Sequence, residues 1–439
     1  MGRYPHRAFF WVGIYLGMVL APLLALLLGP VPGGNGFWYD LSMAFGFSGA
    51  AMQGTMFFLT ARFQRATTPF GIDIIYYFHR WIALVAMFFI LAHPVILLAN
   101  GGMAASELLP GNITSYMLAG VGAVAALLGL MATSLWRKGL GIHYDGWRVA
   151  HALLATAALG LAFVHIEGVG NYVLTPWKRV LWAVITASWL AVLGYVRVAR
   201  PVHALRHPWR VIEIRPERGK AWSLTLAPEG HSGFSFMSGQ FAWLTLGASP
   251  FAMREHPFSI SSSARHRARI SFTIKEVGDF TSRIGQVRPG QVAYLDGPHG
   301  AFSPDLHPNA DYVLIAGGIG IAPMMGMLRT LADRGDRRSL RLIYAYNDWD
   351  GLTFREQLDE LKGRLNLELV IVLASPPPNW QGERGFVTID LLKRRLPPHP
   401  GRFHYYLCGP EVMTAAVEKS LRRLGVRQHR IHLELFDLA

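Results

Sequence analysis

Six long stretches of this chain carry no Asp, Glu, Lys or Arg: Ala8–Leu28, Leu41–Ala61, Trp81–Ala99, Ile113–Trp136, Val149–Ile166 and Val180–Val196. A helix needs about 20 apolar residues to cross a hydrocarbon core. The pattern therefore predicts six membrane spans, the last two completed by flanking residues. The first stretch leads into further spans and lacks a clear cleavage site, so it reads as a span rather than a signal peptide. After Pro201 the pattern shortens. Val211–Ile214, Trp222–Leu226, Phe241–Leu246, Ile270–Ile274 and Val292–Leu295 alternate between Gly and Pro punctuation, which predicts a small antiparallel β-barrel. From Asp311 on, the runs Tyr312–Ala316, Leu340–Ala345, Leu367–Leu373 and His404–Leu407 read as buried strands. Helical stretches such as Met324–Ala332 and Phe354–Leu361 lie between them, which predicts a parallel α/β domain. The expected fold class is a multidomain membrane protein with domains at 1–205, 206–308 and 309–439.

Two apolar stretches share one internal spacing. His79 and His93 are 14 residues apart, and so are His151 and His165. Fourteen helical residues rise about 21 Å and turn close to a whole number of times, so both histidines of a pair share one face. Alternate spans of a serpentine chain point the same way, which places His79 level with His151 and His93 level with His165. Neutral imidazole is a good axial ligand for haem iron. Two b-type haems, one near each membrane surface, are the expected occupants, and these four histidines are the candidate metal ligands. Arg80 and Arg148, near the inner pair, are candidates for the haem propionates, or else belong to the basic cytoplasmic rim. Gly120, Gly122 and Gly129 would let helices pack closely.

Charge adds orientation. Arg3, Arg7, Arg62, Arg65, Arg137, Lys138, Arg197, Arg200 and Arg206 all fall at ends that share one side, so that side is read as cytoplasmic and both termini with it. The expected location is the inner (plasma) membrane. The net charge of +14 and mean hydropathy of +0.27 fit a protein embedded in lipid. No interleaved basic and aromatic patch suggests nucleic acid. The one cysteine, Cys408, rules out an internal disulfide or a thiolate iron–sulfur site, which leaves haem and flavin as electron carriers.

Three motifs carry the soluble half. Arg254-Glu255-His256-Pro257-Phe258-Ser259-Ile260-Ser261-Ser262 lies in the barrel. Ala316-Gly317-Gly318-Ile319-Gly320-Ile321-Ala322-Pro323 joins a strand to a helix, where glycines allow a backbone to approach phosphate. Cys408-Gly409-Pro410 follows the last of the predicted strands. In this order they resemble the ferredoxin–NADP reductase superfamily, and with the bis-histidine half the whole chain resembles the NADPH oxidase and ferric reductase superfamily, in its compact prokaryotic form. The resemblance implies that Ser259 bonds the FAD isoalloxazine, with Arg254 and His256 toward the ribityl phosphate and Pro257 and Phe258 completing the motif. It implies that Lys275, Gly278, Thr281 and Ser282 form a second flavin segment. It also implies that Gly317, Gly318, Gly320 and Pro323 take the nicotinamide cofactor's pyrophosphate, and that Cys408 and Gly409 border its ring. Gly297-Pro298-His299-Gly300 departs from the family's aromatic at His299. Glu434-Leu435-Phe436 resembles the family's aromatic ending, which implies that Phe436 stacks on the flavin and must move before nicotinamide enters. Ser259, Cys408 and Phe436 are the candidate catalytic residues.

The implied activity is a flavohaem oxidoreductase passing electrons from NADPH or NADH through FAD and two haems to an acceptor outside. The first acceptor is O2, giving superoxide; a ferric chelate and a periplasmic protein partner are the alternatives. Asp348 and Asp350, after the second nucleotide-domain strand, would repel a 2′-phosphate, which points to NADH being used at least as well as NADPH.

Overall fold

The computed structural model describes residues 5–63 and 72–435, which fall into two compact units, one holding residues 6–63 and 74–201 and the other mainly residues 202–435. Arg3, Arg65 and Phe436 lie outside the described residues.

The first unit is helical: α1 (Pro5–Leu26), α2 (Phe37–Thr60), α3 (Ile72–Ala99), α4 (Ser115–Leu135), α5 (Tyr144–Val169) and α6 (Pro176–Gly194). A π-helical turn, Tyr195–Ala199, carries α6 into the short α7 (Arg200–Arg206). Local chemistry marks the ends. The Thr114 hydroxyl accepts the Met117 amide at the start of α4, Gly170 closes α5 in the left-handed region, and Pro176 opens α6 at a position where its missing N–H costs nothing. Large apolar side chains face outward, among them Phe88, Leu153 and Val184, each at least 60% exposed. A surface of this kind suits lipid rather than water.

Five helical stretches are long and apolar enough to cross a membrane: those of α1, α3, α4, α5 and the continuous α6–α7. The sixth expected span, Leu41–Ala61, is the helix α2, but Asp40, Ser42, Gln53 and Thr55 leave it less apolar than the rest. Of these, Ser42, Gln53 and Thr55 are buried. Glycine lets α2 press against its neighbours. A Cβ on Gly49 would come within 2.5 Å of the Ile90 side chain, and one on Gly54 within 2.2 Å of Trp189.

The second unit holds two six-stranded sheets. The antiparallel one runs in the order β4-β3-β6-β1-β2-β5, with β1 (Trp209–Glu217), β2 (Ala221–Pro228), β3 (Phe241–Leu246), β4 (His256–Ser259), β5 (Ile270–Lys275) and β6 (Val292–His299). The expected barrel is here a curled sheet, whose two edge strands meet through the single bridge Ile260↔Phe272. Leu224, Leu226, Leu244 and Phe272 fill its interior. The other sheet is parallel throughout: β7 (Tyr312–Gly317), β8 (Leu340–Tyr346), β9 (Leu367–Leu373), β10 (Glu383–Arg384), β11 (His404–Cys408) and β12 (Ile431–Glu434), in the order β10-β9-β8-β7-β11-β12. Helices α8 (Ile321–Asp333), α9 (Arg355–Arg364), α10 (Ile389–Arg395) and α11 (Glu411–Arg423) follow β7, β8, β10 and β11. The strands on either side of β7 leave in opposite directions along the sheet, so the topological switch sits at the C-terminal ends of β7 and β11.

Helix α8 also fixes the curled sheet against the parallel one. A Cβ on Gly326 would lie 2.4 Å from the Ile260 carbonyl oxygen, just past β4. Beside it Arg329 Nη1 donates to the Ser261 carbonyl at 2.7 Å, and the Ala264 amide donates to Thr330 Oγ1 at 2.9 Å. Gly326→Val should therefore lower the stability of this unit by about 1–3 kcal/mol, the usual range for overpacking. Thermal release of FAD fluorescence checks it; an unchanged midpoint would mean that the two sheets do not bear on each other there.

Candidate functional site

Two imidazole pairs stand inside the helical unit. The ring centres of His79 and His151 are 6.4 Å apart, and those of His93 and His165 are 6.3 Å apart. Metal–imidazole bonds of about 2.0 Å, with about 1.1 Å from each ligating nitrogen to its ring centre, put two rings about 6.2 Å apart across one metal ion. Each pair is thus spaced for one.

The neighbours set which nitrogen faces the gap. His93 Nδ1 lies 3.0 Å from the Ser42 carbonyl oxygen, which can only accept, so Nδ1 carries the proton. Ser42 Oγ donates to the His93 carbonyl at 2.8 Å and can accept from the same Nδ1 at 2.9 Å. His165 Nδ1 donates to the Tyr116 carbonyl at 3.0 Å. Ser134 Oγ donates to the Leu130 carbonyl at 2.7 Å and so accepts from His151 Nδ1 at 3.2 Å. In all three the bare lone pair is left on Nε2, the form a metal ligand needs. The buried His79 Nδ1 has no partner among the described residues.

Glycine makes the room. A Cβ on Gly46 would meet the His93 ring at 3.2 Å, and one on Gly120 would meet His165 Nδ1 at 2.7 Å. Gly120, expected as a packing residue, thus packs against a candidate ligand. Arg80 is exposed beside His79, and the Arg148 guanidinium lies 5.8 Å from the Tyr144 ring centre. Sequence reasoning missed Ser42, Ser134 and Gly46. A serine in an otherwise apolar stretch was the available signal for the first two; the Tyr116 carbonyl leaves none.

In the second unit the glycine motif and the Cys-Gly-Pro turn meet at the switch point. A Cβ on Gly320 would sit 2.1 Å from the Cys408 carbonyl oxygen, and one on Gly409 would sit 3.0 Å from the Gly317 backbone. Gly318 adopts a left-handed conformation, φ +55°, with nothing within 4 Å of its Cβ position. Pro323 is buried in the first turn of α8, where proline is tolerated. The result is a glycine-lined floor at the end of β7 that a phosphate can approach. The Cys408 side chain is fully buried in the core under α8. Burial, with Glu434 nearby, pushes its thiol well above the usual range.

The Arg254–Ser262 motif supplies β4. Ser259 is buried opposite Phe241, Pro257 pairs with Trp243, and Phe258 pairs with Ala242. The His256 ring stacks on Phe280 at 4.0 Å, which ties this strand to the second expected flavin segment. Phe258 stacks on the same ring at 6.0 Å. Lys275 Nζ lies 5.6 Å from the Tyr346 ring centre. Thr281 Oγ1 accepts the amides of Val277 and Gly278 at 2.9 Å, and Ser282 Oγ donates to the Asp279 carbonyl, so these hydroxyls hold the turn in shape. Arg254 is exposed. His299 is buried, with Nε2 3.2 Å from Asp296 Oδ1.

Three family models match in chain order. The ferric reductase like transmembrane component matches residues 45–162, the FAD-binding domain residues 195–303, and the oxidoreductase NAD-binding domain residues 314–419. The chain is 27% identical over 236 residues to a ferredoxin–NADP reductase B of Sorangium cellulosum, covering 52% of this chain and 96% of that protein. It is 30% identical over 152 residues to a flavohemoprotein of Oceanobacillus iheyensis, covering 34% of this chain and 37% of that one. It is 33% identical over 168 residues to an NADH-cytochrome b5 reductase 1 of Laccaria bicolor, covering 37% and 54%. The chain thus spans nearly all of the first relative but about half or less of the other two. Among solved structures, the cytochrome P450 reductase GcoB of Amycolatopsis aligns with a TM-score of 0.47 at 24% identity, over 52% of this chain and 69% of that one. Membrane helices joined to FAD-binding and NAD-binding domains make this chain an enzyme, a membrane-embedded NAD(P)H-dependent oxidoreductase. It has the architecture of the NADPH oxidase and ferric reductase superfamily, with a ferredoxin–NADP reductase-like dehydrogenase part.

The contact between Gly320 and the Cys408 carbonyl can be tested by adding one methyl group. Gly320→Ala has no room to keep both loops in place. It should cut kcat/KM for NAD(P)H roughly tenfold or more, since misplacement of about 1 Å is costly. FAD content should be unchanged. Normal kcat/KM would separate the glycine from the nicotinamide site.

Proposed function

We propose that the protein carries electrons from cytoplasmic NAD(P)H through FAD and two b-type haems to O2 outside the inner membrane, giving superoxide. The observation that carries this reading is the pair of imidazole gaps, each spaced for one metal ion, with Nε2 lone pairs of His93, His165 and His151 left to face them. When bound, FAD accepts a hydride and releases single electrons, and haem iron passes electrons singly. The residues do the positioning. His79 and His151 hold the inner haem, His93 and His165 the outer one, with Arg80 and Arg148 toward the inner propionates. In this reading six helices cross, α2 among them, both termini are cytoplasmic, and the domains divide at 205/206 and 308/309. Arg254, His256, Pro257, Phe258, Ser259, Lys275, Gly278, Thr281 and Ser282 seat the flavin; Gly317, Gly318, Gly320, Pro323, Cys408 and Gly409 seat the nicotinamide cofactor. The flavin-stacking role that the resemblance implies for Phe436 falls outside the described residues. No acid–base pair is assigned, because the redox groups do the chemistry. Short outer loops suit a small diffusible acceptor.

Purified protein should show two low-spin haems per chain. His93→Ala should lose the outer one while NAD(P)H still reduces FAD, and full haem content in that variant would break the pairing. The same preparation identifies the acceptor. Reduction of cytochrome c that superoxide dismutase abolishes supports O2. Dismutase-insensitive reduction of a ferric chelate, or turnover that needs a periplasmic fraction, replaces O2 with the respective alternative.

The turn after β8 supports a view on nicotinamide choice. Asp348 Oδ1 accepts the Gly351 amide at 2.7 Å, which keeps a carboxylate in the turn. Arg355 lies 4.6 Å from the Trp349 ring centre and pairs with Glu356 at 3.2 Å, so its charge is already engaged. A 2′-phosphate would meet carboxylate where it needs a base. NADH should therefore be used at least as well as NADPH. Steady-state kcat/KM for the two decides it, and a strong NADPH preference would point to Arg355 turning from Trp349 to the phosphate.

A further inference from the structure

Three histidines far apart in sequence converge at one edge of the parallel sheet. His404 opens β11, His432 lies in β12, and His307 caps the one-turn helix Pro304–Leu306 before β7. The strand register explains two of them. Tyr406 pairs with His432 across β11 and β12, and side chains two apart on a strand share a face, so His404, Tyr406 and His432 stand on one side of the sheet. Tyr405 and Ile431 point to the other side, into an apolar core. His307 reaches the same face from the connecting segment. Its ring centre is 4.2 Å from that of His404 and 4.6 Å from that of His432.

One potential ligand atom from each lies within 4.8 Å of the others. The proton on His307 is assigned by its neighbour. Tyr406 Oη donates to the Ser303 carbonyl at 3.2 Å and accepts from His307 Nδ1 at 3.0 Å, which leaves the His307 lone pair on Nε2. His404 Nδ1 and His432 Nε2 are 2.9 Å apart. Tetrahedral metal–imidazole bonds of about 2.0 Å place ligand nitrogens about 3.3 Å apart. Small rotations of half-buried rings bring the three nitrogens to that spacing. The bond between His404 and His432 is the interaction a metal ion replaces.

We infer that His307, His404 and His432 form a binding site for Zn2+, with water in the fourth position. Imidazole suits zinc, and three histidines with one open position is an established ligand set. His404 and Cys408 lie at opposite ends of β11, so the site is about 13 Å from the nucleotide crevice and outside the route of hydride transfer. Its effect is mechanical. The metal ties the edge strand β12 to β11 and to the segment that enters β7.

The test uses the full-length protein in detergent with FAD and haem in place, washed with a chelator and then given ZnCl2. After gel filtration, mass spectrometry should count about one zinc per chain, and X-ray absorption at the zinc edge should show three imidazole nitrogens at about 2.0 Å. His404→Ala with His432→Ala should weaken zinc retention tenfold or more; His404→Gln with His432→Gln keeps hydrogen-bonding side chains there and should do the same. FAD content and NADH-driven ferricyanide reduction report that the variants are folded. His203→Ala with His207→Ala removes a separate histidine pair and should leave the count unchanged. The inference is overturned if the unmodified protein retains no zinc, or if the His404 and His432 variants retain as much as it does.

Discussion

The helical unit depends on how imidazoles are satisfied where no water reaches them. An unpaired polar nitrogen in an apolar interior costs several kcal/mol by transfer estimates, so an Nδ1–H is stabilised by an acceptor within the protein. Two backbone carbonyls, those of Ser42 and Tyr116, and one hydroxyl, that of Ser134, serve three of the four histidines. Once these bonds form, tautomer and ring plane are fixed together, and the opposite nitrogen can only face the partner histidine. The helix spacing sets the height of each imidazole; the acceptors set its direction. Gly46 and Gly120 belong to the same constraint, because a Cβ there would press on the rings of His93 and His165.

The soluble unit solves its problem with backbone rather than side chains. At the switch point of the parallel sheet the two loops that receive a dinucleotide must come together, and here they do so through Gly317, Gly320 and Gly409. A Cβ at any of these positions would come within about 3 Å of its neighbours, at or below the closest approach side chains tolerate. The same device recurs at Gly326, which lets α8 rest on the chain leaving β4. One helix therefore connects the two motifs: its N-terminus opens the nucleotide floor, and its middle locates the strand that bears Ser259. Ion pairs add to this junction. Arg218, in the turn between β1 and β2, pairs with Glu356 at the start of α9 and holds that carboxyl down to about 2. Both groups are well exposed to solvent, so the pair contributes little to stability and more to the register of the two sheets.

Much of this fold is legible in the order of residues alone. The strands Phe241–Leu246 and Leu367–Leu373 keep their expected bounds, because alternation or a continuous apolar run is a strong local signal. Short elements with weak signals escape it. The strand His256–Ser259 contains a proline and only four residues, and Ile431–Glu434 is an edge strand with one face polar. The histidine spacing is readable because it is periodic. Ser42, Ser134 and the Tyr116 carbonyl are not, because they depend on which helix lies beside which. The triad of His307, His404 and His432 is hidden for the same reason: the first two are 97 positions apart, and the pairing of β11 with its neighbours brings the rings together.

The helix least like a membrane span by composition is instructive on this point. Helix α2 falls short of the other five in apolar character because Ser42, Ser48, Gln53 and Thr55 interrupt it, and because Gly46, Gly49 and Gly54 replace larger side chains. Each departure that can be traced has a neighbour that needs it. Ser42 orients His93, Gly46 clears its ring, Gly49 admits α3 and Gly54 admits Trp189. A helix that touched only lipid and apolar neighbours would have no such residues and would read as an unambiguous span. Polarity inside a membrane helix is costly and is kept where it acts on another group. The weakness of the hydropathy signal at α2 therefore has the same physical origin as the strength of the histidine signal on α3: the first helix supplies what the second one's imidazole requires.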